Sequence, residues 1–91
     1  MTHTIYKYPL TQPEGDDVVV EMPEGARVLS VQVQRHIPCI WALVDPEKQL
    51  EKRRFRIYGT GQRTSLPDAP YIGTVQLLDG RLVYHLFEVT R

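Results

Sequence analysis

The sequence predicts an all-β domain, a single small antiparallel β-sandwich or barrel of about seven short strands with at most one short helical turn. Three observations carry that prediction. Apolar residues recur at spacing two and hardly anywhere at helical spacing. Seven prolines and six glycines cut the 91 residues into pieces too short for amphipathic helices. Turn-forming clusters separate those pieces at near-regular intervals, and Asp79-Gly80 between two apolar runs is the strongest hairpin signal among them.

Each element follows from its local residues. Thr4 to Tyr8 reads as a first strand ended by Pro9, and Asp17 to Met22 as a second with Val18, Val19 and Val20 at its β-branched centre. Pro23-Glu24-Gly25 turns the chain. Next, Leu29, Val31 and Val33 point one way and Ser30, Gln32 and Gln34 the other, which is the pattern of a strand with one wet face. Arg35-His36-Ile37-Pro38 connects it to Cys39–Val44, whose continuous apolar run predicts a central strand covered on both faces.

Asp45-Pro46-Glu47 closes that strand and could open one helical turn before Glu51. In Glu51 to Tyr58, period two places Arg53, Phe55 and Ile57 on one face and Lys52, Arg54, Arg56 and Tyr58 on the other. A polar loop from Gly59 to Pro70, with Leu66 as its one apolar anchor, is expected to be exposed and mobile. Tyr71 to Leu78 and Arg81 to Val89 form the closing hairpin. Residues 1–91 are read as one domain, since this length supports one core and not two.

Composition narrows the function. Eleven basic residues balance eleven acidic ones, so no overall field draws the protein to a nucleic-acid polymer or an anionic membrane. No stretch approaches the roughly 20 apolar residues of a membrane span, and Met1-Thr2-His3-Thr4 has no signal-peptide pattern. The single cysteine, Cys39, lies in an apolar run and reads as a small buried hydrophobe, which fits a reducing compartment. Trp41, in the same run, reads as core filler.

Catalysis is not expected. His3, His36 and His85 fall on a terminus, a turn and a strand, with no spacing that suits a metal, and no cofactor motif is present. Thr60, Thr64, Ser65 and Thr74 lack the strand-turn-helix elbow that exposes a nucleophile. The acidic residues Asp16-Asp17 and Glu47 to Glu51 read as solvated surface.

The one constellation with binding chemistry is Arg54, Arg56 and Tyr58 running into Gly59-Thr60-Gly61, with Arg63 beyond. Arginine forks neutralise phosphate oxygens, a tyrosine ring stacks on a base, and glycine lets backbone N–H groups and the Thr60 hydroxyl approach an anion. The competing reading is a solvated face that protects a strand edge from aggregation. The expected ligand is a phosphate-bearing small molecule such as a cyclic nucleotide. A chain this short has little room for a pocket of roughly several hundred cubic ångströms, so a homo-oligomer is expected with it.

Four blocks, Tyr6–Leu10, Val20–Ala26, Pro38–Pro46 and Phe55–Gly61, make the chain similar to a widespread family of small phage-encoded proteins across nearly its whole length. That family is a domain of unknown function without established catalytic residues. The resemblance implies expression in the cytoplasm of an infected bacterium. By analogy with small phage proteins that lack enzymatic motifs, it implies a noncatalytic accessory role: sequestering an immune nucleotide signal, or masking a host defence factor through anchors such as Tyr6, Tyr8 and Tyr71, or serving as a minor virion component. It also places a small or amidic residue where this chain has His36.

Overall fold

The structure, a computed structural model, describes residues 2–65 and 68–89, and Leu66, the expected loop anchor, lies outside the described residues. Eight strands are present: β1 (Thr4–Pro9), β2 (Pro13–Glu14), β3 (Asp17–Pro23), β4 (Arg27–Gln34), β5 (Ile37–Val44), β6 (Leu50–Gly59), β7 (Tyr71–Leu77) and β8 (Leu82–Val89). They form two antiparallel sheets, one in the order β1-β5-β4 and the other β2-β3-β6-β8-β7. The all-β class expected from the alternation is observed, and of the two architectures it allowed, sandwich or barrel, the two antiparallel sheets make a sandwich. The strand missing from the sequence reading is β2, two residues that pair with Val18 and Asp17 and present too short a pattern to read.

The core lies between the sheets, where Met22, Ile40, Ala42, Val44 and Phe55 are fully buried, with Val20, Val31, Val75 and Leu86 packed around them. Burying each large apolar side chain contributes about 1.5–3 kcal/mol. Within β5 the inward positions Ile40, Ala42 and Val44 are buried, whereas Trp41 and Leu43 face outward and keep part of their surface. Strand β5 is therefore central in its sheet but covered fully on one face only, and Trp41 is not core filler. Cys39 is buried as a free thiol, as expected.

Two local features depart from simple alternation. A register shift between Val28 and Ser30 leaves Leu29 unpaired, so Val28 takes the inward place and Leu29 is 42% exposed. One inserted residue reverses the phase of everything before it. At the next turn, Gln34 pairs directly with Ile37, and Arg35 and His36 both adopt left-handed backbone, with φ 53° and 70°. A two-residue mirror-image hairpin turn requires this and favours Asn and Gly there. After β5, Lys48 N–H donates to the Asp45 carbonyl and Glu47 N–H to the Asp45 carboxylate, closing a turn without a helix.

The two sheets approach each other most closely at β4 and β7. A Cβ on Gly73 would lie 2.8 Å from Val31 Cγ1, so only glycine admits this approach. At the rim of the sandwich Arg53 turns inward beside Phe55, donating from Nε and Nη2 to Glu88 (2.5 and 3.1 Å) and from Nη1 to the Ala26 carbonyl at 2.8 Å. The paired, hydrogen-bonded geometry allows this charge to sit partly out of water.

Candidate functional site

Strand β6 puts Lys52, Arg54, Arg56 and Tyr58 on the outer face of the five-stranded sheet, and its neighbours supply the rest of that face. In register, Arg56 stands between Asp17 of β3 and Phe87 of β8, while Tyr58 stands beside His85 of β8. Beyond β8, Tyr71 and Thr74 of β7 oppose Phe87 and His85. Directly opposed residues share a sheet face, so the arginines, two carboxylates and a row of rings meet there.

The arginine charges are compensated. Arg56 Nε donates to Asp17 Oδ1 at 2.7 Å, and Arg54 pairs with Glu14 and lies 3.8 Å from the second oxygen of Asp17. Asp17 is thus not the loose surface carboxylate its place beside Asp16 suggests. Its hydrogen bond is the foremost reason the Arg56 guanidinium is held above its ordinary pKa, with Tyr58 next. Only Nε of Arg56 is hydrogen-bonded among the described residues, so Asp17 orients the fork without occupying it.

Tyr58 is buried, 5% exposed, with its ring edge-on to Phe87 at 5.9 Å between centroids. The stacking face expected of Tyr58 is therefore covered. Its hydroxyl is enclosed with no hydrogen-bond partner of good geometry among the described residues. Burial pushes the phenol's pKa up, but the nearby Arg56 guanidinium and Ser65 outweigh burial and leave it below the ordinary tyrosine value.

Two open clefts flank the Gly59–Ser65 segment. One, of about 290 Å³, is lined by Asp16, Arg56, Ile57, Tyr58, Gln62, Arg63 and Ser65. The other, of about 220 Å³, is bounded by the Gly59–Gln62 turn, Thr64, Tyr58, Tyr71, His85 and Phe87. Tyr58 and Gln62 belong to both. Gln62 Oε1 accepts from the Gly59 N–H at 2.9 Å and Gln62 N–H donates to the Gly59 carbonyl, a closed turn that Gly61 completes with φ 87°. Thr60 Oγ1 meets His85 Nε2 at 2.8 Å, so its hydroxyl braces the imidazole.

The seven residues expected from sequence therefore divide. Arg56, Tyr58 and Arg63 line the cationic cleft; Tyr58, Gly59, Thr60 and Gly61 line the aromatic one; Arg54 lies outside both. Asp17, Ser65, His85 and Phe87 were not anticipated in the site, Gln62 was placed beside the turn without a role, and Tyr71 was expected only as an anchor for a protein partner. Alternation in β8 could have placed His85 and Phe87 on one face, opposite Leu86, but nothing local shows that β8 lies beside β6. Among the described residues, no three His, Cys, Asp or Glu side chains converge as metal ligands, and no helix is long and apolar enough to cross a membrane.

No curated protein and no solved structure matches this chain. One family model does match, over residues 1–91, and on that match the chain belongs to the family described as Domain of unknown function (DUF7352).

Proposed function

We propose that this protein is a noncatalytic binding domain for a small phosphate-bearing molecule, held in the cleft between β6 and the Gly59–Ser65 segment. The observation that carries this reading is the enclosed Tyr58 hydroxyl, which lies close to Arg56 and Ser65 yet makes no hydrogen bond of good geometry among the described residues. Buried hydroxyls are nearly always satisfied, so an orphan calls for a reason, and an anionic ligand oxygen supplies one. Arg56, held by Asp17, adds a guanidinium whose orientation is already fixed. Arg63, exposed and in no ion pair among the described residues, adds the second charge.

Cleft size limits the ligand. About 290 Å³ lies at the lower end of small-molecule sites, enough for a phosphate group and its immediate substituent. Holding a cyclic di- or trinucleotide would require a second copy of the chain across the opening. In an infected bacterium, the setting implied by the resemblance to phage-encoded proteins, such capture would withdraw an immune signal from the host.

Thermal-shift measurement with phosphate monoesters and cyclic nucleotides tests the reading, because a ligand that binds only the native state stabilises it by about 2.7 kcal/mol at a hundred times its Kd. The expected result is a shift with at least one of them, weakened by Arg63→Ala and unchanged by Arg54→Ala. No shift at millimolar ligand would overturn it.

A second reading, masking of a host protein, is favoured by β1. This edge strand leaves Ile5 56% and Tyr6 42% exposed beside an unpaired backbone edge, a form that accepts an added strand. Capture of one stoichiometric host protein, lost on Ile5→Lys and retained in Arg63→Ala, would support it.

A further inference from the structure

We infer that the aromatic cleft on the far side of the Gly59–Ser65 segment receives a planar base, which makes the ligand a nucleotide rather than a simple phosphate ester. This rests on the phosphate reading of the adjoining cleft, but a different set of residues carries it.

Tyr71 is a large ring held at 59% exposure, and it is pinned at both ends. Its hydroxyl is hydrogen-bonded to Thr74 Oγ1 at 2.5 Å, and its ring tilts against Phe87 with centroids 5.5 Å apart. From Thr74 the chain of bonds continues to His85 Nδ1 at 2.9 Å, then from His85 Nε2 to Thr60 Oγ1 at 2.8 Å. Tyrosine, threonine, imidazole and threonine are thus locked in one line across the cleft.

An exposed apolar ring fixed this way gains little stability for the fold. It offers a flat surface whose rotamer entropy is already lost, which is what a stacking platform needs. The imidazole beside it has both nitrogens hydrogen-bonded, which fixes its ring plane as well.

The neighbouring polar groups suit a heterocycle. Gln62 reaches both clefts, and with its oxygen taken by the Gly59 N–H its amide NH₂ is left to donate. A ring nitrogen or carbonyl in the aromatic cleft would accept from it. The two clefts adjoin, with Tyr58 and Gln62 in the lining of both, and in the inferred complex a phosphate at Arg56 and Arg63 and a ring on Tyr71 are parts of one molecule. Balanced net charge and two small adjoining clefts favour a mononucleotide over a polymer.

Isothermal titration with adenosine, guanosine, cytidine and uridine 5′-monophosphates, ribose 5-phosphate, inorganic phosphate and a thymidine octamer tests this. At least one nucleoside monophosphate is expected to bind about tenfold or more tighter than ribose 5-phosphate, in line with the usual effect of losing one stacking partner. Tyr71→Ala and Tyr71→Leu should abolish that advantage and leave ribose 5-phosphate binding unchanged, Tyr71→Phe should keep it, and Arg63→Ala should weaken both ligands.

Equal binding of ribose 5-phosphate and every monophosphate would overturn the base site while leaving the phosphate site standing. Tighter binding of the octamer than of any monophosphate would overturn the mononucleotide assignment. Binding of none of these probes would remove both the base site and the phosphate site.

Discussion

At the scale of single residues, Tyr58 carries the sharpest consequence. Its enclosed hydroxyl is a cost to the free protein that Tyr58→Phe removes, since the apolar isostere fits the same space. The variant is expected to melt at a higher temperature than the parent and to show a smaller ligand-induced shift, the two changes moving in opposite directions. A group whose folded pKa is lowered adds stability only above its unfolded value, near 10 for tyrosine, and that contribution fades as pH falls through the folded value. At pH 7 the comparison therefore reports the buried hydroxyl alone. A lower melting temperature for Tyr58→Phe would mean that the hydroxyl is satisfied in solution and would take away the main support for the phosphate site. His36 is a second residue whose meaning is local: its φ of 70° is a backbone state that asparagine and glycine adopt with less strain.

At the scale of elements, the approach of β4 to β7 rests on Gly73. Gly73→Ala forces a methyl against the stiff, buried Val31 side chain and is expected to cost about 1–3 kcal/mol. Because the two groups collide directly, Val31→Ala should recover part of that loss in the double variant, which denaturant unfolding of all four proteins would measure. Additive losses would show that the strain lies elsewhere. Legibility also varied by element. Strands were readable where alternation was long and uninterrupted, as in β6, whose inward Phe55 and outward Arg54 and Arg56 follow from spacing alone. They were misread where one residue broke the phase, as at Leu29, or where two residues made the whole element, as in β2. Long-range register is invisible to spacing, so the Asp17–Arg56 pair and the convergence of Tyr71, Phe87 and His85 could not be foreseen. The burial of Tyr58 was equally hidden, because its covering comes from a different part of the chain.

At the scale of the whole molecule, neutral overall charge coexists with a face on which positive and negative groups are sorted into bonded pairs. Net composition predicted the absence of a long-range field and said nothing about Arg63, which lines the cleft beside Arg56 and takes part in no ion pair among the described residues.

The Gly73–Val31 contact, taken across the full sandwich, makes the β4/β7 side a spine. At the other edges of the two sheets, β1 and β2 make no comparable approach and are joined by Leu10, Thr11 and Gln12. Fluctuations should then open the molecule like a book, with β1 lifting first while β5 and β8 stay closed. Native-state hydrogen exchange is expected to show amides of β1 exchanging well before those of β5 and β8, and uniform protection across both margins would refute it. Tyr71 and Thr74 are mounted on the spine and Ile5 and Tyr6 on the page edge, so a base bound at the first, as proposed, would meet a rigid surface, and a strand added at the second a yielding one.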